Sequence, residues 1–314
     1  MQAVSQTDEL RSGTAARPCP ICGTAPEAGR VLRDERIDEA ALDRFAFASR
    51  KVPELMHWRL VECPTCGVGF ASPAPSPEGV AAAYRDAGFD SADEARHAAA
   101  TYQALIRAVV THLPPGPALD VGAGDGAFLS ALRELGIDDP VGVEPSRAAL
   151  AEAAPDVRGL IREDVFRASD FEPCRFALVS CLQTIEHLPD PLRALRGAHA
   201  VLREEGALFV VCHDRHGDLN RLLGRRSPIF DVEHLQLFDR TSLRTLLERA
   251  GFSDIDIRSF SNRYPLRYWV RLAPLGRRPK LGLIAALDRL RLGGLPVSLP
   301  VGNLAAVAWK RASA

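Results

Sequence analysis

Two short cysteine turns stand out in the sequence, CPICG with Cys19 and Cys22, and CPTCG with Cys63 and Cys66. Each turn presents two thiolates to the same side, and four thiolates close a tetrahedral zinc site with no open position. The expected role is therefore structural rather than catalytic. The 40 residues between the pairs exceed ribbon spacing, but an inserted loop leaves the coordination chemistry unchanged. Seven cysteines in a chain read as cytoplasmic argue against a disulfide framework. Cys174, Cys181 and Cys212 sit singly in apolar stretches and read as buried packing residues.

The second constellation is ALDVGAGDGAF, in which a strand ends at Asp120, Gly122, Gly124 and Gly126 follow, and a helix begins near Ala127. Glycines at this spacing let the backbone turn sharply and approach a ligand, with the free N–H groups of the helix start beside it. The pattern also suits a dinucleotide such as NAD, so the acids around it matter. Asp120 would repel a pyrophosphate, whereas S-adenosylmethionine carries a sulfonium and an ammonium that favour a nearby carboxylate. Glu144 ends the next strand, 22 residues after Gly122, where it can accept both hydroxyl hydrogens of a ribose. Asp164, in REDVF, is placed for an adenine amino group, which the dinucleotide pattern does not require.

LDVGAGDG, VGVEPS, EDVF and LQTIEHLPDP resemble successive motifs of class I S-adenosylmethionine-dependent methyltransferases, and DVEHLQLFDRTSLRTLLERAGF resembles a downstream signature of a bacterial subfamily. The likeness runs over about residues 80–311. It implies that Asp120, Gly122, Gly124 and Gly126 cradle the methionine part, that Glu144 holds ribose, and that Asp164 with Val165 flanks adenine. Gln183 to His187 would line the methyl-donor pocket. Bacterial sugar and natural-product methyltransferases carry similar cysteine knuckles; those with a further C-terminal domain are longer than this chain.

Methyl transfer needs alignment more than a protein nucleophile, because sulfur already activates the carbon. A hydroxyl acceptor, or a carbon acidified by a carbonyl, gains from a general base. His187 follows the fourth strand in TIEHLPDP; His234 sits in FDVEHLQLF beside Glu233; His213 ends the fifth strand. His187 and His234 are the catalytic candidates. The rival reading makes His187 a loop-ordering residue and His234 a packing residue at a helix entry.

The elements that must position these groups alternate. PALDVG, VGVEP, RFALVSCLQ and GALFVVCH read as strands, with helices between them in GAFLSALREL, SRAALAEAA and PLRALRGAHAVLR. TSLRTLLERAGF reads as an amphipathic helix starting near Thr241 or Ser242, and DIDIRSF and LAAVAWKR as the closing strands. The expected fold is α/β: a Rossmann-like, seven-stranded, mostly parallel sheet flanked by helices, behind a small N-terminal zinc-binding domain. The proline-rich ASPAPSPEG marks the boundary, giving a knuckle domain and linker over 1–75 and a methyltransferase domain over 76–314.

With 314 residues, 46% hydrophobic and 25% charged, the chain can build one large domain and an appendage. No segment reads as a signal peptide or as about 20 uncharged apolar residues. A net charge of −1 gives no global attraction to nucleic acid. Between Arg258 and Arg291, however, nine basic residues face one acid, overlapping a basic insertion over about 262–298 that also holds Tyr264, Tyr268 and Trp269. Such a segment suits an anionic substrate, including nucleotide-sugar phosphates, or a peripheral contact with a membrane; the plainer reading is a solvated helix covering the sheet.

The leading expectation is O- or C-methylation of a sugar-linked or small polar metabolite, so the expected partner is a small-molecule or glycan acceptor. An RNA methyltransferase docking through its knuckles is the rival, disfavoured by the mixed charge of VLRDERIDEAALDRF. A cofactor-binding protein without catalysis, or an NAD-binding oxidoreductase, completes the alternatives. The sequence leaves the oligomeric state open.

Overall fold

Apolar residues that alternate along a strand bury both faces of a sheet only when helices cover each side, and the computed structural model has this layered form. It describes residues 13–39, 42–43, 45–48, 55–273 and 275–311. The elements run β1 (Arg30–Arg33), β2 (Leu60–Glu62), β3 (Gly69–Ala71), α1 (Pro77–Arg85), α2 (Ala92–Val110), β4 (Ala118–Val121), α3 (Ala127–Glu134) and β5 (Val141–Val143). They continue with α4 (Arg147–Glu152), α5 (Pro155–Arg158), β6 (Ile161–Arg162), β7 (Phe176–Leu182), α6 (Pro191–Val201), β8 (Leu202–His213) and α7 (Asp218–Leu223). The last are β9 (Gln236–Leu237), α8 (Arg240–Arg249), β10 (Ser253–Pro265), α9 (Leu266–Leu272), α10 (Arg277–Arg289) and β11 (Pro296–Trp309).

The main sheet has seven strands in the order β10-β11-β8-β7-β4-β5-β6. The pairs from β6 through β8 are parallel, and β11 runs antiparallel to both its neighbours. The order reverses direction between β4 and β7, the crevice where open α/β sheets bind ligands. Leu119, Val179 and Leu208 point to the face covered by α6 and α8, with Leu195 and Leu246 among the residues packed on them. Ala118, Leu178 and Phe209 point to the other face, under Tyr102 and Ile106 of α2 and Phe128 and Leu132 of α3.

The cysteine-bearing segment shares these layers. Its sheet, β1-β2-β3-β9, takes its fourth strand from residues 236–237, and Cys19, Cys63 and Cys66 join the same buried cluster as Leu119 and Val179. Arg17 ties the segment further in. Its guanidinium donates to the carbonyls of Ala71 (2.9 Å), Pro189 (2.8 Å) and Leu235 (2.7 Å) and to the Gln236 side chain (2.8 Å). Trp58 donates through Nε1 to the Val232 carbonyl at 2.8 Å.

Three expectations change. The closing strands are longer than read: they pair from Ser253↔Trp309 to Pro265↔Pro296, so the insertion proper is 266–295, and Tyr264 belongs to the sheet. The helix read as starting near Thr241 or Ser242 begins at Arg240, because Asp239 accepts from the Ser242 N–H (2.8 Å) while the Ser242 hydroxyl accepts from the Asp239 N–H (2.9 Å). Cys174 is exposed rather than buried, since it lies in a positive-φ turn (53°) ahead of β7; Cys181 and Cys212 are buried as expected. Residues 1–12 and 312–314 of the expected domains lie outside the described residues. No helix among the described residues is long and apolar enough to cross a membrane.

Candidate active site and cysteine cluster

The glycine loop leaves β4 with three left-handed residues, Gly122 (φ 78°), Gly124 (56°) and Gly126 (78°). At Gly122 the requirement is also one of space, for a Cβ would lie 2.4 Å from Thr184 Oγ1. The Gly122 N–H donates to the Val143 carbonyl at 2.9 Å, stitching the loop to the neighbouring strand. Gly126 starts α3 and packs toward Val157 and Ile161; unlike Gly122 and Gly124, it does not line the cavity.

Glu144 is buried and bidentate. Its Oε2 accepts from the Gly124 N–H (2.9 Å) and its Oε1 from the Ser146 N–H (2.8 Å), so one carboxylate anchors both the glycine loop and the start of α4. Burial nonetheless pushes it above the usual carboxylate range, with the two N–H bonds working the other way. Asp120 is buried and accepts from Ser180 Oγ at 2.6 Å, its partner across the β4–β7 register. Burial pushes Asp120 up to about 7, the Ser180 hydroxyl opposing and the Glu144 charge adding to the rise. Asp164 is half exposed on the rim, holding Arg167 (2.7 Å) and the Val165 N–H (2.7 Å); the Arg167 bond keeps it below its ordinary value. Gln183, strained at φ 53°, leaves its side-chain NH2 buried without an acceptor at the cavity wall. An orphaned donor, two buried carboxylates and an open glycine loop suit a ligand that brings cationic, hydroxyl and acceptor groups.

These residues line one cavity of about 1020 Å³. Its lining also includes His187, His213 and His234, with ring centroids 4.9 Å apart for His187–His234 and 5.2 Å for His213–His234. A carbonyl can only accept, so His187 Nδ1 carries the hydrogen in its 3.1 Å bond to the Glu233 carbonyl, as does His234 Nδ1 in its 2.8 Å bond to Ile229. When either ring is neutral, its lone pair is on Nε2. The Glu233 carboxylate lies beside His187 (3.9 Å) and takes the Tyr84 hydroxyl (3.2 Å).

Glu186 falls within the Gln183–His187 stretch expected to line the methyl-donor pocket, but it does not line the cavity. It is buried, and its Oε1 takes His213 Nδ1 at 2.9 Å while its Oε2 has no partner. Burial opposes its charge most strongly, but the His213 bond and the charges of His213 and His187 together outweigh it and hold it below the usual range. Its position in the IEHLP motif was the available signal. Tyr84 joins this group, its ring meeting His187 edge-on at 5.9 Å. Tyr264, Tyr268 and Trp269 form an aromatic wall, where Asn262 and Asn303 offer buried side-chain oxygens without donors.

The match to known proteins follows this geometry. The methyltransferase domain family model matches residues 93–257, just over half of the chain. The chain belongs to the methyltransferase domain family. The ubiquinone biosynthesis O-methyltransferase of Pseudomonas paraeruginosa is 30% identical over 107 residues, 31% of this chain and 44% of the relative. The same enzyme of Xanthomonas campestris is 33% identical over 104 residues, 31% of this chain and 43% of the relative. The matched part thus spans less than half the length of these relatives. Similar solved structures include a methyltransferase of Bacillus halodurans (18% identity, TM-score 0.49, 68% of this chain and all of that one). Another is a SAM-dependent methyltransferase of Archaeoglobus fulgidus (17%, 0.46, 68% and 94%).

Outside the methyltransferase match, one sulfur from each of Cys19, Cys22, Cys63 and Cys66 lies within 4.8 Å of the others. Cys19 Sγ is 3.4 Å from Cys66 Sγ, and Cys22 Sγ 3.3 Å from Cys63 Sγ. Tetrahedral zinc with bonds of about 2.3 Å places sulfurs about 3.8 Å apart, so the cluster fits with small outward shifts. Within the buried Cys19–Cys66 pair, the shared S–H favours thiolate at Cys19 and drives Cys66 upward.

Proposed function

We propose that this methyltransferase transfers the methyl of S-adenosylmethionine to a hydroxyl of a small, aromatic, polar molecule, and that its cysteine cluster holds structural zinc. The observation that carries the acceptor reading is that one cavity is lined by the glycine loop and its acids, by His187, His213 and His234, and by the aromatic residues Tyr264, Tyr268 and Trp269. The O-methyltransferase relatives support oxygen as the acceptor atom. In this reading Asp120 and the glycine loop hold the methionine end, Glu144 accepts from the ribose hydroxyls, and Asp164, Val165 and Gln183 lie along the adenosine. Each Glu144 oxygen keeps a second lone pair for this beyond its N–H bond.

The chemistry balances simply. The acceptor hydroxyl gives its proton to Nε2 of His187 or His234, the O–C bond forms, and the S–C electron pair stays on the departing sulfur. A base of this kind is worth about 10²–10⁴ in rate. Radiolabelled S-adenosylmethionine should therefore label phenols and catechols in preference to sugars or RNA, with kcat reduced at least about a hundredfold in His187→Ala. Labelling confined to sugars or RNA would replace the aromatic acceptor; full activity of His187→Ala and His234→Ala would remove both bases.

Asp120 adds a pH signature. With its value raised to about 7, ligand-free protein holds a proton there that the unfolded chain, at 3.8, has released. This group therefore costs stability as pH rises through that window. A cationic ligand favours the ionised form, so binding expels the proton. Calorimetry should show affinity for S-adenosylmethionine falling as pH drops from about 8 to about 6, by up to about tenfold per unit below 7, and flattening in Asp120→Asn. A pH-independent affinity would take Asp120 out of the binding site.

A further inference from the structure

We propose that α10 and the residues that follow it, as far as Leu299, dock the protein on an anionic lipid bilayer, with leucines entering the headgroup layer and arginines meeting lipid phosphates. β11 pairs with β8 only from Asn303 onward, while its pairing with β10 continues to Pro265↔Pro296. The two strands therefore run past the sheet as a ribbon that carries α9, α10 and the turn after them. α9 is anchored by Tyr268, Trp269 and Val270, all buried, whereas no described residue of α10 is buried.

Apolar side chains are concentrated on this projection instead of being scattered over the surface. Seven of the nine exposed large hydrophobic side chains among the described residues lie between Leu275 and Leu299. Leu290 is 65% exposed and Leu295 49%. Leu283 and Leu290 are two turns apart on one side of α10, and Leu292 and Leu295 follow in the turn beyond its end. Singly exposed leucines need no account, but a run of them in one segment marks a contact surface.

Charge selects the occupant. Between Arg263 and Leu299 there are eight basic residues and one acid, Asp288. Arg271 is spent on Asp90 (2.9 Å), and Arg267 lies 3.8 Å from Asp93. Arg263, Arg278, Arg289 and Arg291 are exposed and make no hydrogen bond or ion pair with a described residue. A second copy of the chain would set these arginines against their own equivalents, and the like charges would repel. RNA would take the arginines but leave the leucines in water, and Tyr264, Tyr268 and Trp269 are buried away from any base that could stack on them. An anionic bilayer answers both groups, because arginine stems lie along apolar surface while their heads reach the phosphates. With 13 residues α10 is about 20 Å long, short of the hydrocarbon thickness, so it lies along the surface. α9 also lends Tyr268 and Trp269 to the cavity wall, so one short helix joins the docking surface to the cavity.

Co-sedimentation of the intact protein with vesicles tests the surface, comparing phosphatidylcholine containing about one third phosphatidylglycerol with phosphatidylcholine alone. Binding to the anionic vesicles should be at least about tenfold tighter and should weaken in about 0.5 M salt. The double variants Leu283→Ser with Leu290→Ser, and Arg278→Glu with Arg289→Glu, should each lose at least about tenfold in affinity while melting within about 2 °C of wild type. No binding to anionic vesicles, equal binding to both vesicle types, or unchanged binding by either folded variant would overturn the proposal. Without vesicle binding, self-association lost in the leucine variant would assign the surface to a second copy. RNA binding lost only in the arginine variant would assign it to nucleic acid.

Discussion

Glu144→Ala should weaken S-adenosylmethionine binding by at least about a hundredfold. The carboxylate would accept the ribose hydroxyls, and hydrogen bonds to a charged group contribute about 1.5–3 kcal/mol each, so losing two removes about 3 kcal/mol or more. A second loss adds to this. The same oxygens hold the Gly124 and Ser146 N–H groups, so the substitution also unties the glycine loop from the start of α4 and leaves two buried donors without acceptors. Calorimetry on wild type and Glu144→Ala, with melting curves to confirm folding, measures the effect. A folded variant that binds within about fivefold of wild type would show that ribose is held elsewhere.

The second large effect is expected from the cysteines. Removing zinc, or substituting Cys63→Ser, should lower the melting temperature by about 10 °C or more and abolish turnover. Structural zinc contributes about 10–16 kcal/mol in small zinc-binding peptides, and even a part of that, at about 2–4 °C per kcal/mol, is a large shift. The link to turnover is physical. Sulfurs of the cluster share the buried layer of the main sheet, and the adjoining segment carries Arg17 and Trp58, which hold the Pro189, Leu235 and Val232 carbonyls around His187 and His234. Arg249 of α8 likewise donates to the Ile21 carbonyl of the first knuckle (3.3 Å). Elemental analysis and scanning fluorimetry with and without chelator provide the readout. Protein grown with zinc yet containing none, or a Cys63→Ser variant melting within about 2 °C of wild type, would leave the cluster as four reduced thiols.

Features that depend on near neighbours in the chain were legible from sequence. The positive φ at Gly122, Gly124 and Gly126 follows from the strand-to-helix turn, and Glu144 ends the next strand because the βα alternation puts it there. The cysteine pairs could be paired with each other because two short turns present sulfurs in the same way whatever lies between them. Helix bounds were less legible. α8 starts at Arg240 with Asp239 as its cap, since the capping bonds depend on side-chain geometry, and the final strands extended because their pairing continues past the last alternating residue.

The role of Glu186 was not legible, because it comes from His213, 27 residues away, which only the packing of β7 against β8 brings beside it. The same holds for Ser180 beside Asp120, for Tyr84 above His187, and for the strand that residues 236–237 add to the knuckle sheet. Sequence by itself determined the cofactor loop, the acids beside it, the order of strands and helices, and the thiol set, all consequences of local backbone geometry and repeating side-chain period. Only the tertiary structure decided which nitrogen of His187 and His234 carries the hydrogen, which carboxylate stands without a partner, and that the aromatic residues at the edge of a basic segment turn inward. Those outcomes depend on burial and on hydrogen bonds between residues far apart in the chain, which no local pattern encodes.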